Sequence, residues 1–496
     1  MRLRVKNFNW IAGRPVVILN SETAEKLDVH VDERVALSNS KKIYAVVDIF
    51  EKIIKNGEIG LSNEILKILK VKSGSIIEVD NAPLPKATLL IRKKLNGERL
   101  TKEEINSIVS DIVHNNLTEA EVAYFTAAEK AFGMSAQEII NLTKAMVENG
   151  NKLKFNQKLV ADKHCAGGVA GNRTTPIVVS ICAVAGLTVP KTSSRAITSA
   201  SGTADVIETI ANVEFSGNKL KKIVNKTGAC LAWGGGLGLA PSDDKIIHVE
   251  RLLNLDIEPQ LLSSIMSKKI AAGSKYLLID IPYGKGTKSP AFKKAKDLGR
   301  KFEKLGKYFK MKLKVVYTDG KQPIGNGIGP VLEMIDVLSV LQNKTDAPED
   351  LKKKSLYLAS ELLALCGIKD SKKKAKEILE SGKAYEKFKE IINIQNNKEK
   401  NSCDFDLRIN NLKPAQFKKA IYSRKTGIIK EIDNKKINSL CRILGTPENK
   451  AAGCYLHKHI GKISKGDKLV DLYSESKDKI RDAVRFFNEF KPIVIK

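Results

Sequence analysis

Asp162-Lys163-His164-Cys165-Ala166-Gly167-Gly168-Val169-Ala170-Gly171-Asn172-Arg173-Thr174-Thr175-Pro176 is the stretch on which the fold turns. Leu159-Val160-Ala161, just before it, reads as a short strand, and the apolar run from Ile177, just after it, reads as a helix. Strand, glycine turn and helix in that order open an α/β layer. The glycines let backbone N–H groups approach an anion, the helix start adds partial positive charge, and Lys163 supplies a full one. An ordinary tight turn has the same glycines, so the neighbouring segments carry the decision.

Four of them point the same way. From Ser193 to Thr203 the chain offers six hydroxyls, one arginine and one glycine in eleven residues, the groups that hold phosphate oxygens. Trp233-Gly234-Gly235-Gly236-Leu237-Gly238 permits close backbone approach, as a hinge also would. Asp256 precedes a helix expected to start at Pro259 and stop at Gly273, on which Ser264 and Lys268 share a face; a carboxylate there is a cap or an acid. Asp280-Ile281-Pro282-Tyr283-Gly284-Lys285-Gly286-Thr287-Lys288 ends a strand with two glycines and two lysines. Together these exceed what one small anion needs and indicate a phosphate-using or nucleotide-using transferase.

Strand candidates at 276–281 and 313–317, separated by helical stretches, extend the α/β layer over 156–241 and 275–400, with a central mixed sheet expected. Upstream, Thr101 with Glu104, Thr118 with Glu121 and Ser135 with Glu138 are capping-box signatures that predict helices over 102–115, 119–132 and 136–149. These make a helical domain of 87–155 with 242–274. Residues 1–85 carry short β-branched runs and form a β-rich module, and 401–496 form a last α+β module.

Of 496 residues 42% are hydrophobic, enough for several cores, and the formal net charge is +29. The basic residues are dispersed, in runs such as Lys352-Lys353-Lys354 that read as solvated surface, so nucleic acid is not an expected partner. Seven scattered cysteines without a CxxC argue for a reducing compartment and against a zinc site, and His457 with His459 lacks a third ligand. Met1-Arg2-Leu3-Arg4-Val5 is not followed by an apolar signal core, and no apolar run approaches the ~20 residues of a membrane span. A cytoplasmic protein with no membrane partner is expected.

The hydroxyl-rich segment resembles the signature of the thymidine and pyrimidine nucleoside phosphorylases, as does the Asp162–Gly168 loop. Ser264-Ile265-Met266-Ser267-Lys268-Lys269 and Thr318-Asp319-Gly320-Lys321-Gln322-Pro323-Ile324-Gly325 with Leu332-Glu333 are similar to two further motifs, in the same order. The chain departs at Val249, where those enzymes place an arginine on the pyrimidine, at Ser199, where they have histidine, and at 281–286. The N-terminal module and Lys288 resemble instead the archaeal branch of the family, the AMP phosphorylases. That resemblance implies phosphorolysis of AMP to adenine and ribose 1,5-bisphosphate, with CMP and UMP as further candidates. It implies no cofactor, inorganic phosphate being a co-substrate, and a homodimer or larger homo-oligomer. It places inorganic phosphate at Lys163, Cys165 (a serine in the family), Ser193 and Thr203. The nucleotide falls at Gly168, Ser194, Arg195, Ala196, Ile197, Thr198, Ser199, Thr203, Ser264 and Lys288, with His164 and Lys268 nearby, no metal, and Asp256 as proton donor.

Three rivals remain on sequence grounds. A nucleoside phosphorylase would ignore the 5′-phosphate. An anthranilate-type phosphoribosyltransferase, which Ser201-Gly202-Thr203-Ala204-Asp205 also resembles, would need magnesium and diphosphate. A nucleic-acid-binding protein would bind in a steeply salt-dependent way.

Overall fold

The computed structural model of the chain describes residues 1–197, 199–253 and 255–496. The chain divides into two compact units, Met1–Asn149 with Pro241–Ser263, and Gly150–Ala240 with Ser264–Lys496.

The first unit opens with a closed six-stranded barrel in the spatial order Arg2–Asn7, Glu58–Leu61, Val16–Leu19, Lys41–Ile49, Arg34–Asn39, Ile76–Asn81. Alternating apolar positions, Leu3 and Val5, Val35 and Leu37, Ile77 and Val79, fill its interior, and closure leaves no unpaired sheet edge. Helices Lys86–Leu95, Lys102–Val113, Glu119–Phe132, Ala136–Glu148 and Pro241–Leu253 follow. All three capping boxes form: Thr101, Thr118 and Ser135 each accept from the backbone three residues on, and Glu104, Glu121 and Glu138 each accept the cap residue's own N–H. Glu121 has a second task, since Arg34 of the barrel donates to both its oxygens at 2.8 and 3.0 Å. Deeper in, Lys94 and Glu138 form an ion pair of 2.9 Å. Glu129 is fully buried, and among the described residues neither of its carboxylate oxygens has a hydrogen-bond partner.

In the second unit, strands Lys312–Asp319, Tyr276–Tyr283 and Ala161–Cys165 pair in parallel, as do Val189–Ser193 and Ala229–Trp233. A parallel bridge between Val160 and Thr188 links the two groups. The mixture of strand directions expected for this sheet lies elsewhere, since these pairings are all parallel and the antiparallel ones belong to the C-terminal module. Helices Thr175–Val184, Pro330–Leu341, Glu349–Leu365 and Lys383–Gln395 supply the large apolar core, which also takes in Phe405 of the helix Asp404–Asn410.

The C-terminal module has two antiparallel sheets, helix Asn434–Leu444 and helix Lys477–Phe490. One of its sheets recruits Gly327–Ile328 from the α/β region. Its core includes Ala170 and Ala200 beside Ile437, Leu440, Cys441 and Leu444. Two loops of the α/β region are thus anchored in another module's interior. Among the described residues no helix is long and apolar enough to cross a membrane.

Candidate active site

From Ala161–Cys165 the chain passes to two strands on one side of the sheet, then crosses to two on the other. Ala161–Cys165 is therefore the topological switch point, and in open α/β sheets ligands bind beyond the carboxyl ends of the strands there. The glycine loop, 166–171, leaves that end. The hydroxyl loop follows Ser193, the Trp233 glycines follow Ala229–Trp233, residues 284–288 follow Tyr276–Tyr283, and Gly320 follows Lys312–Asp319. Motifs scattered over some 160 residues leave the same end of one sheet.

Two positions need glycine. Gly168 has φ +96°, and a Cβ there would lie 2.7 Å from Thr287 Cα and 2.8 Å from Lys288 N. A Cβ on Gly202 would meet Ser194 O at 2.4 Å. The glycine loop packs onto residues 287–288, and the hydroxyl loop folds back on itself. Asp205 fixes that fold by accepting from Ala196 N and Gly202 N, both at 2.7 Å. Ser199 Oγ donates to Ser201 O at 2.9 Å. Ser193 Oγ donates to Ala232 O at 3.3 Å, and the hydroxyl loop thereby meets the neighbouring strand. Thr198 lies outside the described residues.

Beneath the loops lies a buried charge cluster. Asp162 is ion-paired to Lys269 at 2.6 Å and to Lys191 at 3.2 Å. Asp280 is paired to Lys354 at 3.2 Å and accepts from Thr318 Oγ1 at 2.6 Å. Burial raises both carboxyls, but the lysines outweigh it and hold each below the usual carboxylate range. Lys163 Nζ donates to Thr174 Oγ1 at 2.7 Å, and Lys191 Nζ to Lys163 O at 2.8 Å. Burial pulls Lys163 below the ordinary lysine value, against the field of Asp280. Four buried lysines, 163, 191, 269 and 354, thus face two buried carboxylates, 162 and 280. Burial pulls Lys269 down to about 7 against the field of Asp162, and an anion at the loop would favour the charged form of these lysines.

Burial and lysines 269, 191, 163 and 268 push His164 well below its ordinary value, so the imidazole is neutral near pH 7. Cys165 accepts from Asn172 Nδ2 at 3.2 Å; burial, then Asp280, raises its thiol. It stays protonated and brings no negative charge to an anion. The Arg195 guanidinium is turned to carboxylates, with Glu208 at 2.6 and 2.8 Å and Glu214 at 3.0 Å, and lies 4.9 Å from the Trp233 ring centre. Ser264 and Lys268 share the helix Glu258–Ala271 with Lys269, and Lys288 Cε lies within 3.9 Å of where a Gly167 Cβ would stand. Asp256 belongs to the first unit. It is exposed, two residues before that helix, and its carbonyl accepts from Lys130 Nζ at 3.1 Å.

Sequence reasoning passed over several of these groups. Arg173 donates to Glu333 at 2.7 Å, to Thr203 Oγ1 at 2.7 Å and to Ser201 O at 3.0 Å. Glu333 also accepts from Gly329 N at 3.1 Å and from Ser201 Oγ. Lys354, read as part of a solvated run, is 9% exposed against Asp280, whereas Lys353 beside it is exposed. The signal for Arg173, Glu333 and Lys269 was their place inside motifs, and Lys191 stands just ahead of the hydroxyl-rich segment; Lys354 had none. His457 and His459 bond to Asp471 at 2.9 Å and Asn326 at 3.1 Å, and among the described residues no three potential ligands could hold a metal ion.

The helices of the first unit and the sheet of the second each match a domain of one glycosyl transferase family. Its helical bundle domain matches residues 88–150 and its a/b domain residues 157–255. The fold is shared with anthranilate phosphoribosyltransferase from Thermus thermophilus, at a TM-score of 0.50 and 17% identity over 62% of this chain and 99% of that one. Within this class, the chain belongs to the AMP phosphorylase family. It is 41% identical to the AMP phosphorylase of Pyrococcus furiosus over 499 residues, covering 100% of this chain and 98% of the relative. Identity is 42% over 500 residues to that of Pyrococcus horikoshii and 39% over 499 to that of Methanococcoides burtonii, with 100% of this chain covered in both and 98% and 97% of the relatives.

Proposed function

We propose that this pentosyltransferase cleaves AMP with inorganic phosphate, giving adenine and ribose 1,5-bisphosphate, and that CMP and UMP are further substrates. The observation that carries the reading is the amount of anion-binding surface gathered at one sheet end, more than one phosphate uses. Full-length likeness to proteins named AMP phosphorylase supports it.

In this reading Lys163, Cys165, Ser193 and Thr203 hold inorganic phosphate. Gly168, the stretch 194–199, Thr203, Ser264 and Lys288 hold the nucleotide, largely through backbone groups, since the Arg195 guanidinium is engaged by carboxylates. A phosphate oxygen attacks C1′ as the bond to the base breaks. The electron pair of that bond goes to the base nitrogen, which takes a proton from Asp256. Charge of the oxocarbenium kind develops on the ribose, and positioning and electrostatics do the rest. Lysines and backbone N–H groups meet the charge of both phosphates, so no metal or other cofactor is proposed. The protein is proposed to be cytoplasmic and a homodimer or larger.

Val249 is 3% exposed within the helix Pro241–Leu253 and offers no cation to a pyrimidine, which weighs against a thymidine or uridine phosphorylase. Phosphate-dependent release of adenine from AMP, beside adenosine and thymidine, tests the reading. Release from AMP alone is expected, with ribose 1,5-bisphosphate as co-product. Release from the nucleosides but not from AMP would overturn it.

A further inference from the structure

Three residues of the helix Asn434–Leu444, spaced four apart, reach into the two loops assigned above to phosphate and nucleotide. Asn434 Oδ1 accepts from Ala170 N at 2.9 Å, in the glycine loop, while its Nδ2 donates to Gly320 O at 2.9 Å. Asn438 Oδ1 accepts from Ala200 N at 2.9 Å, in the hydroxyl loop. Arg442 donates to Ile197 O at 2.6 Å and to Ser199 O at 3.4 Å. Spacing of i, i+4, i+8 sets all three on one helix face. Each bond to Ala170 and Ala200 is doubled by packing, because both methyl groups sit in the C-terminal core with Ile437 and Leu440. A second tie runs from the same module: Lys450 pairs at 2.6 Å with Glu208, the carboxylate that grips Arg195.

The geometry points to Asn434, Asn438 and Arg442 as positioning residues that hold the glycine and hydroxyl loops in register with one another. They touch no reacting atom. They fix two loops, separated in the sheet by a strand boundary, to a single rigid ruler, so that backbone N–H groups of both loops converge on one anion. Preorganised donors bind a developing charge better than donors that must first be ordered. The role in catalysis rests on the phosphorolysis proposed above; the bracing itself does not.

The test uses the full-length protein with Asn434→Ala, Asn438→Ala and Arg442→Ala, and Asn438→Asp as the conservative variant, whose carboxylate still accepts from Ala200 N. Asn438→Ala is expected to raise KM for phosphate and AMP about tenfold, the weight of one lost buried hydrogen bond, with kcat within about threefold. Asn438→Asp is expected to restore KM. Amide exchange at 166–171 and 196–202 should quicken in the alanine variants and recover in Asn438→Asp. Arg442→Ala removes a side chain from the exposed edge of the loop and keeps the test open if the asparagine variants fold poorly. Unchanged KM and unchanged exchange in folded alanine variants would overturn the proposal. Lower thermal stability with unchanged KM would do the same, because it would make the helix structural only. If the parent protein shows no phosphorolysis, the function falls while exchange still decides the bracing.

Discussion

Lys163 is the side chain whose chemistry is most exposed to test. Burial lowers its pKa, so folded protein binds fewer protons here than unfolded protein in the window between the lowered value and the ordinary one. In that window folding stability rises with pH. A bound phosphate favours the charged ammonium and reverses the shift. Phosphate binding is therefore expected to take up protons in the same window, and calorimetric titration in buffers of differing ionisation heat would measure it. Lys163→Gln should abolish that uptake and weaken phosphate binding about tenfold or more. Asp256→Asn should leave phosphate binding intact and slow AMP turnover by roughly 10²- to 10⁴-fold, the usual weight of a positioned acid; full turnover in that variant would remove Asp256 from the chemistry. What sequence hides at this scale is burial. Lys352, Lys353 and Lys354 look alike in a row, yet only the last is drawn under the sheet by Asp280, 74 positions away in the chain (354 − 280). Charge pairing across such a separation leaves no local pattern, which is why the pairing of Lys269 with Asp162 was hidden although both stand in quoted motifs.

At the scale of elements, local chemistry spoke clearly. The capping boxes fixed three helix starts because donor and acceptor lie three residues apart. Strand Tyr276–Tyr283 announced itself by an apolar run interrupted only by Asp280, as strands buried on both faces do. Glu58–Leu61 did not, being four residues with a glycine inside, and it exists because the barrel must close between Arg2–Asn7 and Val16–Leu19. The glycine and hydroxyl segments were legible as anion-binding stretches; their departure from a common sheet end was not, since it follows from strand order. Gly168 offers the element-scale prediction. Its positive φ and the 2.7 Å approach to Thr287 leave no room for a methyl group. Gly168→Ala should cost about 1–3 kcal/mol of stability, read by denaturant unfolding, and should raise KM for AMP by pushing residues 287–288 away.

At the scale of the whole molecule, changes of sequence rhythm near residues 86 and 157 suggested separate modules, whereas the chain divides into two units, Met1–Asn149 with Pro241–Ser263 and Gly150–Ala240 with Ser264–Lys496. The way the C-terminal module enters the α/β region was not visible, because Gly327–Ile328 and Ala452–Leu456 meet only in three dimensions. Stability as a whole should carry the mark of Glu129. Burial, reinforced by Glu250, raises its pKa well above the ordinary carboxylate value. A carboxyl raised in the folded state favours folding below its unfolded pKa, and that contribution is lost as pH climbs through the folded value. Glu129→Gln keeps the shape and cannot ionise. It is expected to flatten the decline of the unfolding free energy as pH rises from the ordinary carboxylate value toward the raised one, by about 1–3 kcal/mol, in denaturant titrations run at rising pH. A parallel decline in both proteins would exclude Glu129 as its source.

The anchoring of Ala170 on Asn434 spans 264 residues of chain. During synthesis the glycine loop leaves the ribosome long before its brace exists. A nascent chain can complete the strands of the sheet while the partner of this loop is still untranslated. The order in which the ribosome delivers the parts is fixed: loop first, brace last.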